Sequence, residues 1–120
     1  MLRDSCFITK NMSEITLNDS NFEKEVVEAS KVKPVLTDFW APWCPPCRTM
    51  GPIVEELAKD YEGKIFVGKY NVEEGTSVAE KMSVQSIPAF FIFKNGVVVD
   101  NWVGAMSKEE VAKKIDAALK

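Results

Sequence analysis

One junction in the sequence restricts the possible folds of this chain more than any other feature. The run Val35–Trp40 is short, almost continuously apolar and rich in strand formers, which is typical of a central strand covered on both faces. The stretch Ala41-Pro42-Trp43 breaks this run, and the apolar side chains of residues 50–61 then recur at helical spacing along one stripe. Between the predicted strand and the predicted helix stands the motif Cys44-Pro45-Pro46-Cys47.

The rest of the pattern predicts an α/β domain. The other expected elements are a first helix capped by Asp19 or Ser20, a strand at Ile65–Tyr70, a short helix at Thr76–Met82, hairpin strands at Ala89–Phe93 and Val97–Val99, and a last helix that starts at the capping box of Ser107 and Glu110. An Asn-Gly pair separates the two hairpin runs, which is the strongest short-range signal for a β-hairpin. We therefore expect a central mixed β-sheet of roughly four to five strands, with about four helices on both faces.

The length of 120 residues suits one compact domain. We expect residues 1–11 to form a flexible N-terminal extension and residues 12–120 to form the domain. Cys6 falls in the extension, where we interpret it as an incidental free thiol, with intermolecular pairing or a regulatory role as alternatives. The extension lacks the apolar core of a secretory signal, and no run approaches the roughly 18 apolar residues of a membrane span, so a cytoplasmic location is expected.

Composition excludes several classes of function. The chain has no histidine, which removes imidazole general-base chemistry, His-ligated zinc and the Ser-His-Asp triad. Its net charge is −3 and it carries no run of Lys or Arg, so nothing indicates nucleic-acid binding. The chemistry of this chain must therefore come from groups other than imidazole.

The Cys-x-x-Cys motif between strand and helix indicates redox chemistry. Its two thiols can close a small disulfide ring, and the helix dipole with its free N–H groups stabilises a thiolate at Cys44. Cys47 lies one turn further in and is expected to be better covered, which suits a resolving thiol. Pro45 and Pro46 pre-shape the turn and leave the Cys47 amide as the nearest donor to the Cys44 sulfur. The alternative, half of a zinc site, lacks ligands, because only Cys6 is left.

Taken together, these motifs resemble the thioredoxin family. The matching residues are Asp38-Phe39-Trp40-Ala41-Pro42-Trp43-Cys44, Pro46-Cys47, Pro52, Lys69, Ile87-Pro88, Phe93-Lys94-Asn95-Gly96 and Val103-Gly104-Ala105. The resemblance extends over residues 13–120 in order and spacing, and it implies the thioredoxin fold. It also implies a thiol-disulfide oxidoreductase, in which Cys44 attacks a client disulfide and Cys47 then releases the reduced client.

The resemblance gives Asp38 and Lys69 a part in the proton chemistry of this site. Asp38 matches the family's buried carboxylate, which helps to deprotonate Cys47. An aspartate on one strand face with Leu36 and Trp40 would be desolvated, and its raised pKa would suit a proton acceptor; the alternative is a carboxylate on a solvated face. Lys69 matches the family's lysine near that carboxylate, although its own pattern also fits a strand-end lysine that reaches water.

The resemblance also implies a groove that binds an extended client segment beside the dithiol. The groove residues would be Trp43, Pro46, Ile87, Pro88, Ala89, Val103, Gly104 and Ala105. The family places a cis peptide bond before the proline that matches Pro88. Ala89 stands where the family commonly has Thr, so a shift in client preference is expected. Trp40 is expected to pack under the site, and Trp102 on the sheet.

The resemblance implies partners rather than a bound cofactor. The redox group would be the Cys44–Cys47 disulfide itself, its reducing equivalents would come from a thioredoxin reductase, and its clients would be proteins with disulfides. No metal, nucleic acid or membrane is expected, and a monomer is expected. Pro45 replaces the family's common Gly, for which we expect a mildly less reducing potential. Two alternatives stay open, namely a thioredoxin-fold scaffold module and a more oxidising, isomerase-like protein.

Overall fold

Five strands form one mixed sheet. They are β1 (Ile15–Leu17), β2 (Val35–Trp40), β3 (Phe66–Asn71), β4 (Ala89–Lys94) and β5 (Val97–Val103). Their order across the sheet is β1-β3-β2-β4-β5, so that β2 lies in the middle. This computed structural model describes residues 14–120, and the predicted extension at residues 1–11, with Cys6, lies outside the described residues.

Helices cover both faces of this sheet. They are α1 (Glu23–Glu28, wound as a π-helix and continued by a 3-10 turn at Ala29–Lys31), α2 (Pro45–Asp60), α3 (Ser77–Lys81) and α4 (Lys108–Ala118). Strand β2 pairs in parallel with β3 and antiparallel with β4, and β5 follows β4 as an antiparallel edge. The predicted mixed sheet is therefore confirmed. None of the helices in residues 14–120 is long and apolar enough to cross a membrane.

The alternation of side chains along β2 divides the core into two clusters. Leu36 packs on the face that α2 and α4 cover, and Phe39 packs on the opposite face with Phe22 and Tyr70. The first cluster also contains Met50, Val54, Leu57, Val67, Phe90, Ile92, Val111 and Ile115. Because alternate residues of a strand share a face, Asp38 lies on the Leu36 face, beneath α2.

Two short sequence motifs form the structures predicted for them, namely the turn of the β4–β5 hairpin and the start of α4. Asn95 and Gly96 turn the β4–β5 hairpin with φ values of +57° and +85°, a left-handed conformation that Asn and Gly adopt most easily. At the start of α4, Ser107 Oγ accepts the Glu110 N–H over 3.1 Å and Glu110 Oε1 accepts the Ser107 N–H over 3.2 Å. Both elements are fixed by residues close together in the chain, which is why the sequence pattern located them.

The predicted capping of the first helix by Asp19 or Ser20 is wrong. Asn18 Oδ1 accepts the N–H groups of Ser20 and Asn21, each over 2.9 Å, just before α1 begins. Asp19 instead accepts the N–H of Val78 over 3.1 Å at the start of α3, far along the chain. A capping residue whose partner is distant in sequence gives no local signal. The three-residue strand β1 was also not predicted, because so short a run shows no clear alternation.

Candidate active site

The two cysteines of the motif lie at the start of α2. Cys44 is the N-cap of this helix, and Pro45 and Pro46 are its first two residues. Cys44 and Cys47 form a disulfide, with their Cα atoms 5.2 Å apart. The Cys47 N–H donates a hydrogen bond to Cys44 Sγ over 3.3 Å, as predicted from the two prolines that lack this donor.

The expected difference in coverage between the two cysteines is wrong, because each residue is 3% exposed. Cys44 is covered by the chain segment that returns to the site at Ile87, whose carbonyl oxygen lies 3.8 Å from Cys44 Sγ. Trp40 and Val72 also pack against the cysteines, as was predicted for Trp40. Coverage of Cys44 therefore comes in part from residues that are distant in sequence.

The structure brings the predicted groove residues to one rim beside the disulfide. The Ile87–Pro88 peptide bond is cis, as the resemblance implied. Pro88 O accepts the Gly104 N–H over 2.8 Å, and Ala89 pairs with Val103 across the β4–β5 ladder. These contacts hold the end of β5 next to the cis-proline turn.

The members of this rim differ in how far their side chains are exposed. Trp43 and Val103 are 60% and 63% exposed, so their side chains form an apolar surface. Pro46 and Ala105 are also exposed. The Ala89 side chain is buried, so it does not form part of this apolar surface.

A cavity of about 330 Å³ opens beside Trp43, and most of the residues that line it are not among the predicted site residues. Its lining residues are Trp43, Val72, Thr76, Ala79, Glu80, Val84, Gln85 and Ile87. Val72 follows β3, while Ala79 and Glu80 belong to α3. The pattern of these residues is that of an ordinary short helix and loop, and only the tertiary structure brings them to the dithiol.

Asp38 is buried rather than solvated, which decides between the two alternatives for this carboxylate. It is 1% exposed, and its Oδ1 has no hydrogen-bond partner among the described residues. Burial raises the pKa of Asp38 to about 7, and Lys69 opposes this rise while Glu14 adds to it. A carboxyl group with such a pKa can hold or release a proton near neutral pH.

Lys69 is a central residue of β3 rather than a strand-end lysine. It pairs directly with Asp38 across the β2–β3 ladder, so the two side chains share a face of the sheet. Lys69 Nζ lies over the Trp40 ring, 4.7 Å from its centroid. The positive charge of Lys69 therefore lies among Asp38, Trp40 and helix α2.

No group of three or more His, Cys, Asp and Glu side chains within residues 14–120 is placed to hold a metal ion. The two cysteines that could have begun a zinc site are instead bonded to each other. Trp102 stacks on Phe90 with ring centroids 5.3 Å apart, as expected for a residue that packs on the sheet.

The sequence is similar to those of known proteins over most of its length. The family model described as Thioredoxin matches residues 13–117. The chain is 49% identical over 98 residues to a thioredoxin of Chlorobaculum thiosulfatiphilum, a match that covers 82% of this chain and 89% of that protein. It is 42% identical over 108 residues to a thioredoxin of Pseudomonas aeruginosa, with 88% and 98% covered. A chloroplastic M-type thioredoxin of Pisum sativum is 44% identical over 100 residues, with 83% and 57% covered.

The protein is a thiol-disulfide oxidoreductase. Its two cysteines close a disulfide at the start of a helix, and the mixed sheet holds this disulfide against a cis-proline turn. The family model and the relatives make the assignment narrower, and the chain belongs to the thioredoxin family. Its activity is that of a protein-disulfide reductase. Neither the scaffold alternative nor the isomerase-like alternative gains support from these findings.

Proposed function

We propose that this chain is a general protein-disulfide reductant, which carries electrons from a reductase to many client proteins. The observation that carries this proposal is the position of Cys44 at the N-cap of α2. There its sulfur accepts the Cys47 N–H and lies within ring-closing reach of Cys47. Such a position stabilises a thiolate for attack and supplies the second thiol for release.

The proposed cycle has two steps. The Cys44 thiolate attacks one sulfur of a client disulfide, the other client sulfur leaves as a thiolate, and a mixed disulfide forms. The Cys47 thiol then gives its proton to Asp38, and the resulting thiolate attacks the Cys44 sulfur. This closes the Cys44–Cys47 disulfide and releases the second client thiolate. The client gains two electrons and, with the protons its two thiolates take up, is fully reduced.

We assign the role of proton acceptor to Asp38 because it is buried beneath α2 with one carboxylate oxygen unpartnered among the described residues. A pKa of about 7 lets Asp38 take a proton in one step and lose it in the next without a strong preference for either state. Lys69 would limit the rise of this pKa through its positive charge. Both residues act in the second step of the cycle.

We propose that clients bind as extended segments along the apolar rim. Exposed Trp43 and Val103 would contact client side chains, and Pro46 and Ala105 would extend this surface. The segment formed by Ile87, Pro88 and Ala89, together with Gly104, would meet the client backbone. A rim of this kind selects for an accessible disulfide in an extended segment rather than for one client sequence.

The proposed partners are a thioredoxin reductase and disulfide-containing proteins, and the protein would act as a monomer without a further cofactor. We propose the cytoplasm as its compartment, because a reductase must return Cys44 and Cys47 to the dithiol after each turnover. Alkylation of thiols in rapidly acidified cells would measure the fraction of the protein in which Cys44 and Cys47 are reduced. We expect mostly dithiol, and a mostly oxidised pair would contradict the proposal.

The direct test is the reduction of insulin disulfides by dithiothreitol with and without the protein. We expect the protein to accelerate the reaction and Cys44→Ser to lower the rate to that of dithiothreitol alone. Thr49→Ser, at an exposed residue of α2, is the control and should keep the full rate. Equal rates for the parent and for Cys44→Ser would contradict the proposal.

A second measurement separates a reductant from an oxidising protein. The Cys44–Cys47 pair is equilibrated with a series of glutathione buffers and followed by tryptophan fluorescence, since Trp40 packs against the cysteines. A reductant should have a potential well below the cytosolic glutathione poise. A potential well above that poise would favour an oxidase or isomerase and would mean that Pro45 has changed the chemistry of the motif.

A further inference from the structure

Glu14 lies on the same face of the sheet as the two charged residues of the site. Strand β1 pairs in parallel with β3, and Thr16 is the direct partner of Lys69. Lys69 is in turn the direct partner of Asp38 on β2. Glu14 directly precedes β1, and the charged groups that act on it are Lys69 of β3 and Glu55 and Lys59 of α2, which places it on the side of the sheet that α2 covers. Lys69 therefore lies on the strand between two carboxylates.

Both carboxylates are shielded from water. Asp38 is almost fully buried and Glu14 is half-buried. One oxygen of each, Asp38 Oδ1 and Glu14 Oε2, is buried without a hydrogen-bond partner among the described residues. Burial also raises the pKa of Glu14 above its ordinary value. A buried carboxylate oxygen without a donor depends on nearby charge for its stabilisation.

Lys69 is the cation that these two carboxylates share. Its Nζ lies over the Trp40 ring and passes the backbone of α2 at Gly51. Among the residues described, no ion pair within 4.0 Å joins Lys69 to either carboxylate. A flexible ammonium group between two carboxylates cannot approach both closely, so each carboxylate is stabilised less than if the ammonium group faced it alone.

The other charges around this cluster are few. Helix α2 directs Glu55 and Lys59 toward Glu14, where Glu55 opposes its ionisation and Lys59 favours it. On the other side of Asp38, its β4 partner Phe90 and the stacked Trp102 carry no charge. Lys114 of α4 lies over the Trp102 ring, with its Nζ 5.1 Å from the centroid, and is paired with Asp100. Of the residues described, Lys69 and Glu14 are thus the charged groups that act on Asp38.

We propose that Glu14 is a positioning residue of the redox site, which competes with Asp38 for the charge of Lys69 and so keeps Asp38 able to accept the proton of Cys47. This inference rests on the proposed role of Asp38. When Glu14 is ionised, its own repulsion and its share of Lys69 both favour a proton on Asp38. Without the Glu14 charge, Lys69 would act on Asp38 alone, and Asp38 would become a weaker base.

The test measures the titration of the Asp38 carboxyl group in the reduced protein by carbon NMR. Removing one charge about two strand spacings away from Asp38 should change the proton-binding constant of the Asp38 carboxyl group by about fivefold to tenfold. We therefore expect the midpoint to move to lower pH in Glu14→Gln and to higher pH in Lys69→Met. Glu62→Gln, at an exposed carboxylate after α2, is the matched control and should leave the midpoint unchanged.

Failure of this inference can be distinguished from failure of the role of Asp38. The rate of client release from a mixed disulfide, measured against pH, should change its profile in Asp38→Asn. A profile that does not change would overturn the role of Asp38. If that profile changes but the midpoint in Glu14→Gln equals the parent's, the inference about Glu14 is wrong. Opposite shifts in Glu14→Gln and Lys69→Met cannot arise from a general loosening of the structure.

Discussion

Asp38 and Lys69 are direct neighbours across the β2–β3 ladder, and burial outweighs the charge of Lys69 in setting the proton affinity of Asp38. Desolvation is the largest cause of the rise in the pKa of Asp38, and Lys69 only reduces it. The native protein therefore carries a carboxyl group that resists ionisation.

We expect Asp38→Asn to stabilise the protein at alkaline pH. The pKa of Asp38 is about 7 in the folded protein, and an unfolded chain has a value of about 3.9. Between these values the folded state binds more protons, so the free energy of unfolding falls as pH rises through 7. The variant lacks this loss, so above pH 7 it should be more stable by up to about 4 kcal/mol, and the difference should shrink toward pH 4.

Urea unfolding of both proteins across this pH range measures the effect. Glu62→Gln, which changes an exposed carboxylate, should follow the pH dependence of the parent. If the stability difference between parent and Asp38→Asn were the same at every pH, the carboxyl group of Asp38 would not be the source of the pH dependence.

Cys47→Ser should trap clients on the protein. Cys44 would still attack a client disulfide, but the thiol that resolves the mixed disulfide would be missing. We expect a stable covalent adduct with insulin chains on non-reducing gels and the loss of catalytic turnover. Cys44→Ser should form no such adduct at the site, because Cys47 lies inside α2 and lacks the N-cap position and the N–H donor that stabilise a thiolate at Cys44. Both variants carry Cys6→Ser, so that the third cysteine of the chain cannot react. Equal trapping by both variants would contradict the assignment of Cys44 as the attacking thiol.

Tyr70→Phe should destabilise the protein by about 1 kcal/mol, the usual cost of one lost hydrogen bond. The Tyr70 hydroxyl donates to Asp19, whose carboxylate also accepts the Val78 N–H at the start of α3. The substitution removes the link between β3 and this cap. Tyr61→Phe is the matched control, because its hydroxyl donates to the exposed Asp116 and its loss should matter less. Equal effects in thermal unfolding would contradict this prediction.

Gly68→Ala should disturb the pairing of β1 with β3. A β-carbon at Gly68 would lie 2.5 Å from Leu17 Cδ1, and Leu17 is buried in the core. Moving Leu17 should cost about 1–3 kcal/mol of stability in urea unfolding. Gly51→Ala is the control, since its β-carbon would come no closer than 3.9 Å to Lys69 Nζ and Ala favours a helix. If Gly68→Ala left the stability unchanged, Leu17 and β1 would be able to move aside for the added methyl group without cost, and the prediction would be wrong.

Features encoded in neighbouring residues could be predicted from the sequence. The run Val35–Trp40, the Asn95-Gly96 turn and the capping box at Ser107 act through residues a few positions apart, so their patterns are visible in the chain. The position of Cys44 at a helix start follows in the same way from the strand, the prolines and the helical stripe. A central strand covered on both faces already required a layered α/β fold.

Only the tertiary structure decided which distant segments contact these local features. The coverage of Cys44 by Ile87, the capping of α3 by Asp19 and the cavity beside Trp43 all join segments distant in sequence. The placement of Lys69 between Asp38 and Glu14 depends on the order of three strands in the sheet. Burial, charge and hydrogen bonding depend on distance in space, and residue spacing along the chain carries that information only within a helix turn or a hairpin.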